Sequence, residues 1–304
     1  MSEAMRVRVP ATVANLGPGF DAVGAALRMH LEIDIEPLNN SIQLVVEGEG
    51  AERLARDDSN LVIRSMNAFF DHAGRRPPGY ALRVNNPIPL QAGLGSSAAA
   101  IVGGLIAARM ITGRSVTQGK LVELATEIDG HPDNVLPALL GGLVISYRDG
   151  RGELRYLRLV PSDRLVPLLA VPAAGFPTAS ARKVLPATVP FADAQFNAAR
   201  ASLLVGALSS GAGSDVLEEA MMDRLHEPPR LALMPESAAV QEELRAAGLP
   251  VALAGAGPSL LVVVPRPEAS TRAEQVRRIC RARRSGWRVF VSEWEQDGAL
   301  AHSG

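Results

Sequence analysis

The chain has 304 residues, 47% of them hydrophobic and 21% charged, which is enough apolar material for a sizeable core and enough length for two domains. A formal charge of −1, from 31 Lys and Arg against 32 Asp and Glu, gives no general attraction to nucleic acid or anionic membrane, so any anion must be bound locally. The single cysteine, Cys280, excludes an intrachain disulfide framework and a thiolate metal cluster.

In chain order, an alternating segment over 6–9 predicts a strand, followed by a glycine and asparagine loop and apolar runs over 22–27 and 31–35. Residues 42–46 continue the alternation. Ser59 and Asn60 precede Leu61, Val62, Met66, Phe69 and Phe70, which recur three and four apart and predict a capped helix. Residues 80–84 return to strand. The glycines at 93–95 open a helix to about 111 that is apolar all round, which predicts burial, and a second helix is expected over 116–128. Residues 143–147 and 154–160 flank the turn-rich Arg148-Asp149-Gly150-Arg151-Gly152 and predict a β-hairpin.

A domain boundary is placed near 160, dividing 1–160 from 161–304. The second half opens with a strand over 165–171. Helices are expected near 191–210, 212–225, 236–247 and 268–284, with strands over 251–254, 260–264 and 289–292, so the class is α+β. The end after Asp297 is short and polar. The most apolar stretch, 98–108, has 11 residues and two glycines, against about 20 for a bilayer span. With no signal-peptide run in the first twenty residues, the expectation is no membrane partner and a cytoplasmic location.

Four segments carry candidate chemistry. In Pro89-Leu90-Gln91-Ala92-Gly93-Leu94-Gly95-Ser96-Ser97-Ala98 a strand runs through a glycine loop directly into a helix. Glycines let backbone N–H groups approach an anion, the helix N-terminus adds partial positive charge, and the serines can cap the helix, donate to phosphate or ligate a metal. The pattern is neither a P-loop nor Gly-x-Gly-x-x-Gly, and a plainly capped helix start is the simpler local reading. Pro10-Ala11-Thr12-Val13-Ala14-Asn15-Leu16-Gly17-Pro18-Gly19-Phe20-Asp21 presents Asn15 and Asp21 on a loop that an ordinary turn would also explain. Glu127-Ile128-Asp129-Gly130-His131-Pro132-Asp133-Asn134 closes a helix with a cluster of carboxylates and an imidazole. Gly255-Ala256-Gly257-Pro258 joins two strand-like segments.

In order and spacing these four segments resemble the GHMP kinases, most closely the homoserine branch. The pattern Pro-Ala-Thr-x-Ala-Asn-Leu-Gly-Pro-Gly-Phe-Asp stands at 10–21, Gly-Leu-Gly-Ser-Ser-Ala at 93–98, His-Pro-Asp-Asn at 131–134 and Gly-Ala-Gly-Pro at 255–258, so the likeness spans nearly the whole chain. It implies a two-domain α+β fold: an N-terminal ATP-binding domain like the second domain of ribosomal protein S5, and a ferredoxin-like C-terminal domain that closes over substrate. It implies transfer of the γ-phosphoryl of ATP to the side-chain hydroxyl of L-homoserine for threonine synthesis, with Mg2+ as the ion. A homodimer is the assembly it suggests, with no nucleic acid partner.

Carried over residue by residue, the resemblance places ATP on 89–98, with Ser97 and Glu127 as magnesium ligands and Glu123, one helical turn earlier, as the alternative. A hydroxyl and a carboxylate completed by phosphate and water suit a small hard ion. Asn15, Asp21, His131 and Asn134 match substrate contacts, Asp21 facing the ammonium and Asn134 orienting the hydroxyl. Arg182 and Arg230 match the two arginines that hold the carboxylate. Three positions depart from the family pattern: Val13 and Ala254 stand where serine is usual, and Ala179 where lysine is common.

Two rival readings accompany this one: a GHMP kinase for another small alcohol, such as mevalonate or an aminoalcohol, where a substrate lacking an ammonium would not need Asp21, and a noncatalytic ligand-binding or RNA-binding protein on the same fold. The seven arginines over 272–288 share their segment with Val276, Ile279 and Cys280 and predict a solvated amphipathic helix with Cys280 inside, Arg277, Arg281 and Arg284 lying on the other face. His30, His72, His226 and His302 lack metal-ligand spacing and are expected to be surface or structural.

Overall fold

The computed structural model describes residues 5–283 and 286–303, so Arg284 lies outside the described residues. β1 (Met5–Ala14) and β2 (Val23–Leu38) form a long antiparallel pair whose alternate residues, among them Val7, Val9, Ile33 and Ile35, are buried. The two apolar runs expected over 22–27 and 31–35 belong to this one strand β2. Register shifts where Pro10 pairs with His30 and Ala11 with Leu27, and this bulge across Arg28 and Met29 breaks the alternation that would have joined them.

β3 (Ile42–Gly48) runs parallel to β4 (Gly79–Asn86), the crossover being α1 (Leu61–Ala73), whose N-cap Asn60 accepts from the Val62 N–H at 2.9 Å. α2 (Ser96–Thr112) is buried along most of its length, as its apolar circumference requires. α3 (Gln118–Asp129) ends at left-handed Gly130, and α4 (Pro132–Leu140) starts two residues later with His131 as N-cap. The sequence reading of 127–134 as a helix end misses this second helix. Proline at its first position is compatible with helix, having no N–H to leave unpaired. β5 (Leu143–Arg148) and β6 (Leu154–Leu159) form the expected hairpin, with β5 docked on the start of β2.

β7 (Leu165–Val171) is buried on both faces, which explains its unbroken apolar run. Leu165, Leu169 and Val171 join the main core, while Val166, Leu168 and Ala170 face a second core. α5 (Thr178–Lys183), α6 (Phe191–Ser210), α7 (Ser214–Ala220), α8 (Glu227–Leu231), α9 (Pro235–Ala246) and α10 (Ala269–Arg281) surround a second antiparallel sheet. In it, β8 (Val251–Leu253) and β9 (Leu260–Pro265) follow β7 on one side, and β10 (Arg288–Val291) lies on the other, giving the order β10-β7-β9-β8. The single helix expected over 212–225 is the shorter α7, and α5 and α8 were not anticipated. Cys280 is buried on α10, and burial pushes its thiol up to about 11.

The polar chain end does not stay with the second sheet. β11 (Leu300–Ser303) pairs antiparallel with β1, so the first sheet reads β11-β1-β2-β4-β3 with β5 and β6 attached through β2.

Candidate active site

A cavity of about 770 Å³ lies where the N-terminus of α2, the start of α4 and the two arginine-bearing short helices converge. At one end, Gln91, Gly93 and Gly95 adopt left-handed backbone angles with φ of 53°, 76° and 66°. Gly93 could be no other residue without movement of the backbone: a Cβ there would stand 2.0 Å from the Ala254 carbonyl oxygen. The loop is tied to both halves of the molecule, Leu94 O accepting from Thr12 N at 3.2 Å and Gln91 O from Phe176 N at 2.9 Å. Gly95 is the N-cap of α2, and no side chain caps that end, so the simpler reading of 93–97 as a capped helix start does not hold. The free N–H groups of a 17-residue helix open onto the cavity beside Ser96 and Ser97, a ready anion site. Ala98 is buried beneath the first turn and does not line the cavity.

The carboxylate that meets Ser97 is Asp129, not Glu127. Ser97 Oγ donates to Asp129 Oδ1 at 3.3 Å, and burial raises the Asp129 carboxyl to about 6 although the Ser97 hydrogen bond opposes the shift. Glu127 is exposed on α3 and does not line the cavity, and Glu123 is paired at the surface with Lys120 at 2.6 Å. The physical reason is that α3 reaches the cavity only with its last residue. The sequence signal was available: Asp129 directly precedes the Gly130 that ends the helix.

Asn134 Oδ1 accepts from buried Thr12 Oγ1 at 2.9 Å, which leaves the amide nitrogen for a ligand. Next to it, Asp133 is only 4% exposed, and its Oδ1 has no hydrogen-bond partner. Burial, reinforced by the charge of Asp21, raises that carboxyl to about 7. His131 also lines the cavity, where burial and then Arg182 lower its pKa.

At the opposite end Arg182 of α5 forms a bidentate pair with Asp21, at 2.7 and 3.1 Å. Asn15 joins the halves differently: Oδ1 accepts from Asp21 N at 3.0 Å, while Nδ2 donates to Gly255 O at 2.8 Å, so its side chain holds the loop that carries Asp21. Arg230 is 1% exposed yet lines the cavity, against the surface role its residue type alone suggests. Its helix is anchored from below by two buried carboxylates. Asp223 accepts from the backbone N–H groups of Leu225, His226 and Glu227, and Glu227 accepts from Leu253 N, Gln241 and Arg245 at 2.6, 2.9 and 3.0 Å. His226, one turn before Arg230, is likewise buried and belongs to the site's frame, a role its spacing did not disclose. Of the departures, Val13 is sealed in the core and Ala179 lines the cavity.

Models of the GHMP kinases N terminal domain and the GHMP kinases C terminal region match residues 60–142 and 204–282. This chain is a GHMP kinase. Homoserine kinase of Streptomyces avermitilis is 43% identical to this GHMP kinase over 287 residues, covering 93% of this chain and 91% of that protein. Homoserine kinase of a Synechococcus species is 42% identical over 310 residues, covering 99% and 96%. The crystal structure of homoserine kinase from Cytophaga hutchinsonii superposes with a TM-score of 0.87 at 26% identity, covering 99% of this chain and 98% of that one. L. major mevalonate kinase, at 15% identity and a TM-score of 0.72 over 96% of each chain, shares the fold. The GHMP kinase fold thus accounts for both sheets, and among the described residues no helix is long and apolar enough to cross a membrane.

Proposed function

We propose that this GHMP kinase transfers the γ-phosphoryl group of ATP to the side-chain hydroxyl of L-homoserine, giving O-phospho-L-homoserine, and so serves threonine synthesis in the cytoplasm. The observation that carries the reading is the division of one cavity into an uncapped helix N-terminus at one end and Arg182 and Arg230 at the other, with Asp21 held against Arg182 just outside the lining. Such an arrangement fits a polyphosphate at the first end and an α-amino acid at the second. Val46, Leu54, Leu61, Val62 and Leu90 give the cavity an apolar flank suited to a nucleotide base.

Backbone N–H groups of 93–97 bind the phosphates. Ser97 and Asp129 fit magnesium, because a hydroxyl and a carboxylate supply two hard oxygens and leave the remaining positions to phosphate and water. Bound there, the ion would neutralise charge on the transferred phosphoryl group. Arg230 and Arg182 hold the substrate carboxylate, Asp21 its ammonium, and the Asn134 amide orients the hydroxyl. An amide cannot act as a base near neutral pH. Phosphoryl transfer has a loose transition state in which positioning and charge stabilisation dominate, so the proton can leave late, to a phosphate oxygen. Asp133 supports a second reading of this one step, since its buried Oδ1 lacks a partner and borders the same cavity.

ADP release measured against homoserine, mevalonate, serine and threonine tests the assignment. The expected result is turnover with homoserine at least a hundredfold above the others in kcat/KM; preference for an alcohol lacking the ammonium would overturn it.

A further inference from the structure

We infer that His226 is a positioning residue that fixes Arg230 for the substrate carboxylate and locks it to the loop carrying Asp21. The inference rests on the homoserine reading for its substrate, but its geometry stands apart from that reading.

The bonding pattern assigns the ring. Arg230 Nη1 lies 3.0 Å from His226 Nδ1, and a guanidinium can only donate, so Nδ1 must be the acceptor. The other nitrogen, Nε2, lies 2.7 Å from the Gly17 carbonyl oxygen, which can only accept, so Nε2 carries the hydrogen. The Asp223 carboxylate lies 3.8 Å from Nε2, beyond hydrogen-bond distance, and a second N–H at Nδ1 would point at the Arg230 donor. The neutral Nε2–H tautomer satisfies both contacts.

Through this ring the two halves of the amino-acid end become one unit. Gly17, with φ of 90°, is pressed so closely on the second half that a Cβ would stand 2.5 Å from Met221 O. Three residues on, Phe20 stacks on the His226 ring at 5.1 Å, and the Arg230 and Arg182 guanidinium carbons lie 5.3 and 6.0 Å from the Phe20 ring centre. Arg230 Nε donates to Ala181 O at 3.2 Å, and Nη1 is shared between His226 and Gly255 O. Among the described residues Nη2 has no hydrogen-bond partner, so one corner is left for a ligand oxygen. Positioning matters because Asp21 and Asp133 both attract Arg230; without the imidazole acceptor the guanidinium can turn toward a carboxylate of the protein itself.

Two amide substitutions separate the contacts, because asparagine places an oxygen near Nδ1 whereas glutamine reaches the position of Nε2. His226→Gln, which keeps a donor for Gly17 but loses the acceptor for Arg230, is expected to raise KM for homoserine tenfold or more, with KM for ATP and kcat within threefold. His226→Asn is expected to rescue most of that loss. In the Arg230→Ala background His226→Gln is expected to add less than twofold. Equal effects of both amides, parallel loss of ATP affinity, or additive effects in the double variant would overturn the proposal. A second measurement needs no change at position 226: two-bond nitrogen–proton correlation spectra, with His226 assigned by single substitution of the other four histidines, are expected to show the Nε2–H tautomer. An Nδ1–H or doubly protonated ring at pH 7.5 would overturn it even if homoserine proved not to be the substrate.

Discussion

The glycine-loop end of the cavity presents backbone N–H groups and two hydroxyls, whereas the arginine end presents charged side chains borrowed from short helices of the other half. The first is set by the backbone, with left-handed residues at 91, 93 and 95 and no room for a side chain at Gly93 beside the Ala254 carbonyl. The second depends on a chain of partners, Asp223 and Glu227 beneath α8, His226 and Phe20 beside Arg230. Damage at the first end is therefore expected to appear in turnover and ATP affinity, and damage at the second in homoserine affinity.

The sharpest division comes from Ser97→Ala and Asp129→Asn, each expected to lower kcat by about 100-fold or more, as loss of one transition-state charge contact does. Turnover titrated with magnesium checks this, and Glu127→Ala, which alters an exposed side chain away from the cavity, is expected to match the wild type. A strong Glu127→Ala defect with an unaffected Asp129→Asn would return the metal to the earlier helix position.

Next in size, Arg230→Ala and Arg182→Ala are expected to raise KM for homoserine by roughly 10- to 150-fold, corresponding to about 1.5–3 kcal/mol for a charge-assisted hydrogen bond. KM for ATP is expected to move less than threefold, and lysine to rescue poorly because it lacks the planar fork. Comparable shifts in both KM values would erase the distinction between the two ends. Gly93→Ala probes the other side: steady-state kinetics are expected to show KM for ATP raised about tenfold or more, with KM for homoserine little changed, since the added methyl displaces the loop backbone.

The smallest expected effect is at Asp133. Its folded carboxyl titrates near 7, above the ordinary value of 3.8, so between about pH 4 and pH 7 the folded protein retains a proton that the unfolded chain releases. This group therefore lowers stability progressively as pH rises through that window. Thermal melting of Asp133→Asn is expected to show a gain over wild type that is absent at pH 4 and grows to about 1–2 kcal/mol by pH 8. Turnover at saturation is expected to stay within about threefold; a hundredfold loss, with disappearance of a deprotonation step from the kcat profile, makes Asp133 the base.

The glycine-loop end was readable from the sequence because at 93 and 95 a left-handed backbone coincides with no room for a Cβ, so the requirement is written as glycine at both positions. The strands and longer helices were readable through their periodicity. The arginine end was not: α5 and α8, of six and five residues, are too short for a periodic signal, and only likeness to relatives picked out Arg182 and Arg230. The end of α3 was legible in Gly130, but the chain order alone does not say which of its carboxylates faces the cavity, and only the last, Asp129, does. His226 lacks metal-ligand spacing, and its actual partners, the Gly17 carbonyl and Arg230, lie 209 and 4 residues away with no motif to mark them. The return of β11 to the first sheet left no mark in a polar segment whose alternation is hidden by exposure on both faces.

The Asp21–Arg182 pair has one more consequence. In the structure these two charges satisfy each other through a bidentate pair. A zwitterionic amino acid can enter by exchange of partners, its ammonium taking over from Arg182 and its carboxylate from Asp21, with no net charge carried in. A molecule with only one of those groups would break the pair and leave the other half stranded in a half-buried site. On the homoserine reading the pair would tax every singly charged competitor by an unmatched ion, and would select for a doubly charged guest before any contact to the hydroxyl is made.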